Sequence, residues 1–193
     1  MRAWSSPAAG PASPAAFLDR DGTLNRNRHG VYVTRPGQLE LYARVPAALK
    51  LLAKKGYLLI VVTNQSGIAR GYMTEARSRA IQLKLVAQLK RRGVKLDGVY
   101  FCPHAPDGGC ACRKPAPGLL KEAAADHRID MRRSFVAGDK ACDLQLARRA
   151  GIKGYLVMTG GGRAAAAGSA APGFRDLLSL ALAVPDHSGK GIK

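Results

Sequence analysis

Apolar and amphipathic stretches alternate along most of the chain, and this alternation predicts a sheet covered by helices. The run YLLIVVT, residues 57–63, is unbroken by polar side chains until its last residue, which is typical of a strand buried on both faces of a parallel sheet. The preceding stretch, residues 46–55, carries Pro46 in its first turn and repeats apolar residues at helical spacing until Gly56. A buried strand therefore follows an amphipathic helix here.

The same pattern recurs in the rest of the sequence. We predict strands at residues 15–18, 57–63, 94–101, 134–138 and 154–159, and helices at residues 46–55, 74–93, 117–127, 143–150 and 174–183. Because strands and helices alternate, we expect an α/β fold with a single doubly wound, mostly parallel, Rossmann-like sheet and helices on both faces. Residues 22–38 are expected to form a loop or small hairpin. Residues 160–173, rich in glycine and alanine, are expected to form a flexible connector and not a phosphate-binding loop.

The chain has 193 residues, which suits one domain. We expect a disordered lead at residues 1–14, one domain at 15–185 and a tail at 186–193. No apolar run approaches the roughly 20 residues that cross a bilayer, and the first residues lack a continuous apolar segment. We therefore expect a cytoplasmic protein without a membrane partner.

The formal net charge is +18, from 31 basic and 13 acidic residues. Such an excess attracts polyanions, phosphorylated substrates among them. The basic residues are spread along the chain and are not interleaved with aromatic residues, as they would be in a platform on which bases stack. We therefore do not expect nucleic acid to be a partner.

Two acids stand directly after the first predicted strand, in FLDRDGTLN. Asp19 and Asp21 thus lie at the carboxyl end of a strand, where parallel α/β sheets bind ligands. Gly22 permits a turn that would bring both carboxylates to one side. Like charges this close require a cation, and Mg²⁺ prefers such oxygen ligands. The alternative interpretation is a capping turn.

The segments VVTNQSGIARG and CRKPAPG offer groups that suit phosphate. Thr63 and Asn64 follow the second strand, and Gly67 leaves room for backbone N–H groups to approach an anion. Lys114 provides a point charge, and Arg113 can pair with a second anionic group. A polar turn and a solvated basic pair are the alternatives.

A third acid follows the fourth predicted strand, in VAGDKACDLQLA. Asp139 is expected on the same sheet edge as Asp19, where it would complete a Mg²⁺ site, with Lys140 offsetting the negative charge. Asp143 can cap the next helix or orient a water molecule on the metal, and the sequence leaves both roles open.

Three of the four cysteines lie within eleven residues, in CPHAPDGGCAC. Cys102, His104, Cys110 and Cys112 form a closed ligand set for a structural Zn²⁺ ion. The alternative is a reduced cysteine-rich loop. Cys142 lies outside the cluster and is interpreted as a small buried residue or a reduced thiol.

In their order along residues 15–160, these segments resemble the haloacid dehalogenase superfamily of aspartate-nucleophile phosphatases. FLDRDGTLN, VVTNQSGIARG, CRKP and GDKACD look closest to the D-glycero-D-manno-heptose-1,7-bisphosphate 7-phosphatases. The resemblance implies a capless, monomeric, Mg²⁺-dependent phosphatase that acts on a small phosphorylated sugar and carries a structural zinc loop.

The resemblance also implies roles for individual residues. Asp19 would be the nucleophile that forms an aspartyl-phosphate, and Asp21 would serve as general acid and base. Asp19, Asp139 and a main-chain oxygen of Asp21 would hold Mg²⁺, while Thr63 and Lys114 would hold the phosphoryl oxygens. The residues implied in substrate binding are Asn27, Arg28, His29, Gly30, Asn64, Gln65, Ser66, Arg113 and Lys140.

Two other functions stay open at this point. The five-residue spacing between His104 and Cys110 is nearer to the histidinol-phosphate phosphatases, which share the zinc loop, whereas TNQSGIARG and DRDGTLN favour the heptose branch. A non-catalytic, zinc-stabilised binding module on the same fold belongs to a different class.

Overall fold

A computed structural model describes residues 1–5, 11–27, 32–167 and 171–189. The strands are β1 (Arg2–Ser5), β2 (Ala15–Leu18), β3 (Leu58–Asn64), β4 (Gly98–Cys102), β5 (Phe135–Gly138), β6 (Lys153–Val157) and β7 (Gly173–Phe174). The helices are α1 (Val45–Lys54), α2 (Glu75–Lys90), α3 (Gly118–Asp126), α4 (Ala141–Arg149), α5 (Gly162–Ala166) and α6 (Leu177–Ala183), with 3₁₀ turns at Pro36–Gln38 and Met131–Arg133.

The seven strands form one sheet in the order β1-β4-β3-β2-β5-β6-β7. β1 pairs antiparallel with β4, and the other strand pairs are parallel. The chain starts the parallel part at β2, builds outward through β3 and β4, and then returns to the other side of β2 with β5. The predicted doubly wound, mostly parallel sheet is confirmed, and its switch point lies between β2 and β5.

Side chains alternate between the two faces of the sheet and build one apolar layer on each. In β2, Ala16 and Leu18 pack in the layer that contains α1, α2 and α6. Ala15 and Phe17 pack in the opposite layer, with α3 and α4. Because both faces are covered, β2 and β5 are fully buried, and the polar residues that follow them are held on a rigid base.

The expected disordered lead is wrong for Arg2–Ser5, which form β1. Trp4 pairs with Val99 of β4, and Arg2 makes a 2.7 Å ion pair with Asp126. The physical reason is that β4 would otherwise present an unpaired edge, which β1 covers. Residues 6–10 lie outside the described part of the chain.

Other boundaries differ from expectation for local reasons. The third predicted strand begins at Gly98 and not at residue 94, since the side chain of Asp97 accepts the N–H of Leu59 at 2.8 Å. The last helix begins at Leu177, because Asp176 caps it after the short strand β7. In the expected tail, the N–H of His187 donates to the carbonyl of Lys55. None of the helices in the described ranges has the length and apolarity of a membrane span.

Candidate active site

A cavity of about 330 Å³ opens at the carboxyl ends of β2, β3 and β5, around the switch point of the sheet. Most of the predicted site residues line it: Asp19, Asp21, Asn27, Thr63, Asn64, Ser66, Arg113, Lys114, Asp139 and Lys140. The expected substrate residues Arg28, His29 and Gly30 lie outside the described residues. The cavity is also lined by four residues that the sequence reasoning did not assign to the site: Tyr32, Cys142, Gly160 and Gly161.

Lys114 joins two acids at the floor of this cavity. Its Nζ donates to Oδ1 of Asp19 at 2.7 Å, to Oδ1 of Asp143 at 2.6 Å and to the carbonyl of Val62 at 2.9 Å. Burial by itself raises the pKa of Asp19, but the charges of Lys114 and Lys140 outweigh burial and hold that pKa below its ordinary value. Asp19 is therefore held as a carboxylate, the form that a nucleophile requires.

Asp139 completes an acidic cluster with Asp19 and Asp143, whose ligand oxygens all lie within 4.8 Å of one another. Asp139 Oδ2 accepts the N–H of Gly161 at 2.8 Å, whereas Oδ1 is buried without a hydrogen-bond partner among the described residues. Burial, followed by the charge of Asp19, raises the pKa of Asp139 to about 7. With Asp139 ionised, three carboxylates face the ammonium groups of Lys114 and Lys140, and the formally negative cluster fits a hard divalent cation.

Gly22 makes this cluster sterically possible. Its φ of +94° lies in the left-handed region, and a Cβ at this position would overlap the carboxylate of Asp139. The turn after β2 can therefore approach the end of β5 closely enough for Asp19 and Asp139 to share one ion.

Asp21 lines the cavity beside Asp19, and its carboxylate is held by three neighbouring side chains. Arg20 donates from Nε to Oδ1 at 3.1 Å and from Nη2 to Oδ2 at 2.6 Å. Asn25 donates to Oδ1 at 3.0 Å, and Gln65 donates to Oδ2 at 2.9 Å. Sequence reasoning missed Arg20 and Asn25, since neither residue type distinguishes a site residue from a loop residue.

The three residues of the predicted binding turn at the end of β3, Asn64 to Ser66, make different contacts. Asn64 clamps the backbone of Lys114, accepting its N–H at 3.0 Å and donating to its carbonyl at 3.1 Å. Ser66 lines the cavity and forms a 3.2 Å hydrogen bond with the hydroxyl of Tyr32. Gln65, expected to bind substrate, does not line the cavity, because its side chain turns inward to Asp21 and Thr63.

The segment TGGGR, residues 159–163, is part of the site, so the expected flexible connector is wrong for this part of residues 160–173. Residues 168–170 lie outside the described part of the chain. Thr159 donates to the carbonyl of Gly22 at 2.6 Å, and the N–H of Gly161 donates to Asp139. Gly162–Ala166 then form α5. The glycine and alanine content suggested a connector, but the segment is held by contacts with Gly22 and Asp139, which its local sequence does not reveal.

The four predicted zinc ligands converge on one point. Sγ of Cys110 lies 3.6 Å from Sγ of Cys102 and 3.5 Å from Sγ of Cys112, and His104 Nδ1 lies 3.2 Å from Cys112 Sγ. Neighbouring sulfurs in a tetrahedron with Zn–S bonds of about 2.3 Å lie roughly 3.7 Å apart. The three thiols and the imidazole therefore fit a structural Zn²⁺ ion.

The loop that carries the cysteines leads directly into two cationic residues of the cavity. Arg113 follows Cys112 and donates to the carbonyl of His104 at 3.2 Å, while its side chain lines the cavity. Lys114 is next in the chain, and the Lys114–Pro115 peptide bond is cis. Both cations are thus placed by the loop that the cysteines close.

Comparisons with known proteins agree with this geometry. The family model described as "HAD-hyrolase-like" matches residues 111–178. The chain is 44% identical over 165 residues to the D-glycero-beta-D-manno-heptose-1,7-bisphosphate 7-phosphatase of Yersinia pestis, covering 82% of this chain and 87% of that protein. It is 46% identical over 155 residues to the Escherichia coli (strain K12) protein of that name, covering 76% and 80%.

Solved structures give the same result. A D,D-heptose 1,7-bisphosphate phosphatase from B. bronchiseptica, complexed with magnesium and phosphate, superposes with a TM-score of 0.81 at 34% identity, covering 88% of this chain and 96% of that one. A putative HAD-like phosphatase from Mesorhizobium loti gives a TM-score of 0.82 at 32% identity, covering 100% and 95%. The chain therefore belongs to the heptose-bisphosphate phosphatase family of the haloacid dehalogenase (HAD) superfamily and is a phosphoric monoester hydrolase.

Proposed function

We propose that this enzyme removes the 7-phosphate of D-glycero-D-manno-heptose 1,7-bisphosphate through an aspartyl-phosphate on Asp19. The observation that carries the proposal is the convergence of Asp19 and Asp139 on one point, with a buried oxygen of Asp139 left without a hydrogen-bond partner among the described residues. The names of the related proteins support the substrate. The reaction would serve heptose precursors of lipopolysaccharide or a related glycan.

The residues of this chain divide the reaction into two steps. In the first, a carboxylate oxygen of Asp19 attacks phosphorus, the bond between phosphorus and the sugar oxygen breaks, and Asp21 gives its proton to that oxygen. In the second, water attacks the phosphorus, Asp21 takes the proton of the water, and the Asp19 carboxylate leaves. Lys114 and Thr63 hold phosphoryl oxygens, and Arg113 at the rim of the cavity pairs with the second phosphate.

Asp19, Asp139 and a main-chain oxygen of Asp21 would hold Mg²⁺. When bound, the ion supplies positive charge that offsets the charge on the phosphoryl group. Asp143 is not counted among these ligands, because its carboxylate already forms an ion pair with Lys114. Its part is to keep Lys114 in place beside Asp19.

Zn²⁺, held by the four residues of the cysteine cluster, would keep Arg113 and Lys114 in register with the rest of the site. We also assign the enzyme to the cytoplasm, where thiol ligands of this kind remain reduced. We continue to predict that the enzyme is a capless monomer and that nucleic acid is not one of its partners.

A substrate panel at fixed Mg²⁺ concentration, read out as released phosphate, tests the proposed reaction. We expect kcat/KM for the heptose bisphosphate to exceed that for histidinol phosphate by at least about a hundredfold, because Arg113 has a phosphate to bind only in the bisphosphate. A preference for histidinol phosphate would show that the enzyme is a histidinol-phosphate phosphatase, the alternative that the short His104–Cys110 spacing left open. Phosphate release that survives Asp19→Asn would refute the nucleophile assignment and revive the binding-module alternative.

A further inference from the structure

Arg20, which separates the two acids of the opening motif, is fully buried although it carries a permanent charge. It lies two residues after the end of β2, and its guanidinium reaches both oxygens of Asp21 and, from Nη2, Oε1 of Gln65 at 3.2 Å. The proposed reaction assigns no role to this side chain. It is nevertheless the largest fully buried side chain in the described part of the molecule.

Gln65, the residue that follows β3, completes this set of hydrogen bonds. Its Nε2 donates to Oδ2 of Asp21 at 2.9 Å and to Oγ1 of Thr63 at 3.0 Å, while its Oε1 accepts from Arg20. With the amide of Asn25 included, each oxygen of Asp21 accepts two N–H groups. These four donors fix the plane of a carboxylate that still borders the cavity.

Stability alone does not explain a buried guanidinium at this position. Moving an ion out of water costs several kcal/mol, and apolar residues of similar volume often replace buried ion pairs without loss of stability. Nη1 of Arg20 finds no partner in the described ranges, so the burial is only partly compensated. What the arrangement does provide is a single orientation for the carboxyl group of Asp21.

We propose that Arg20 and Gln65 are positioning residues that aim Asp21 at the oxygen that leaves with the sugar. This inference rests on the proposed function, since it requires Asp21 to act as the general acid. In the acid form of Asp21 one of its oxygens carries a proton, and one of the two N–H groups on that oxygen gives way to it. As the bond between phosphorus and the sugar oxygen breaks, this proton moves to the sugar oxygen, and a misaligned carboxyl group would leave a poorly stabilised alkoxide. An aryl phosphate such as p-nitrophenyl phosphate needs no such proton, because its phenolate is already stable.

The test compares kcat/KM for the heptose bisphosphate with kcat/KM for p-nitrophenyl phosphate. This parameter reports the steps up to departure of the leaving group, so it excludes the later hydrolysis of the aspartyl-phosphate. For Gln65→Met we expect a loss of about 10- to 100-fold with the sugar phosphate and less than about threefold with the aryl phosphate. Gln82→Met is the matched control, because Gln82 is also fully buried but lies on α2 without a partner in the described residues, and it should change neither value.

A second comparison uses Asp21→Asn as background. If Gln65 acts through Asp21, adding Gln65→Met to Asp21→Asn should cost less than about twofold more with the sugar phosphate. Additive losses, equal losses on both substrates, or no loss for Gln65→Met would each overturn the inference. Arg20→Met is expected to show the same selectivity, and if it does not fold, the Gln65 series decides.

The two proposals fail in different ways. If Asp21→Asn leaves hydrolysis of the sugar phosphate intact, the general-acid role itself is wrong, and the proposed function fails with it. If Asp21→Asn abolishes hydrolysis while Gln65→Met does not affect it selectively, only the positioning role is lost.

Discussion

Nζ of Lys114 lies 2.7 Å from Oδ1 of Asp19, although 95 residues separate them in the chain and both side chains are almost completely buried. The same ammonium group lies 2.6 Å from Asp143, so one cation compensates two buried acids. Burial lowers the pKa of Lys114, but the charges of Asp143 and Asp19 outweigh it and raise that pKa above its ordinary value. Lys114 is therefore important to the fold as well as to its proposed role in phosphate binding.

Lys114→Met should destabilise the protein by about 3–5 kcal/mol at neutral pH, because it leaves Asp19 and Asp143 buried without their shared cation. Urea unfolding measures the change. Lys140→Met removes the same charge from a side chain that is 47% exposed and should cost less than about 1 kcal/mol. Equal costs for the two variants would show that the buried pairing does not carry this stability. Adding Asp143→Asn to Lys114→Met should recover part of the loss.

Asp139→Asn should weaken Mg²⁺ binding by at least about tenfold, since it replaces a charged ligand by a neutral amide in the site of a hard cation. The measurement is the Mg²⁺ concentration that gives half-maximal phosphate release. Glu40→Gln provides the control, because Glu40 is an exposed acid whose ion-pair partner among the described residues is the exposed Arg26. An unchanged half-saturation in Asp139→Asn would remove this residue from the metal site.

Cys112→Ser should abolish stoichiometric zinc and lower catalytic efficiency, because the loop that holds Arg113 and Lys114 loses its closure. Metal analysis of the purified protein is expected to find about one zinc per chain in the wild type and none in the variant. Cys142→Ser keeps the cluster intact and should keep the full zinc content. Zinc retained in Cys112→Ser would show that Cys112 is not a required ligand, and a wild type without zinc would mean that the cluster is only a reduced cysteine-rich loop.

Because of His127, we expect the free energy of unfolding of the protein to decrease on mild acidification. Burial lowers its pKa, and its Nδ1 has no partner within the described part of the chain. The unfolded state therefore binds a proton first as the pH falls below about 7, so the free energy of unfolding decreases through the unfolded-state pKa of about 6.5 and on to the lower folded-state pKa.

Urea unfolding of the wild type and His127→Phe between pH 5 and 8 checks this sign, the range being centred near the ordinary histidine pKa of about 6.5. The variant should show the shallower decrease, with a difference of at most about 1.4 kcal/mol per pH unit. The comparison between variants cancels the protonation of the zinc ligands, which both proteins share. Parallel curves would show that His127 does not contribute.

The fold was predictable from sequence because its central strands have local signals. The apolar runs that became β2, β3 and β5 are buried on both faces, so hydrophobicity alone marks them. β1 and β7 carry no such signal. They lie at the two edges of the sheet, and their pairing depends on β4 and β6, which the local sequence does not reveal.

The candidate site divides in the same way. The sequence alone determined which carboxylates, cations and thiols follow which strand, and which family they resemble. Because the carboxyl ends of parallel strands meet at one edge of the sheet, it also located the site. Only the tertiary structure decided how these groups are used: Gln65 turns inward to Asp21, Asn64 clamps Lys114, and the glycines after β6 reach Asp139. The physical reason is that a side chain's role depends on partners brought together by folding, and those contacts link positions that are far apart in the chain.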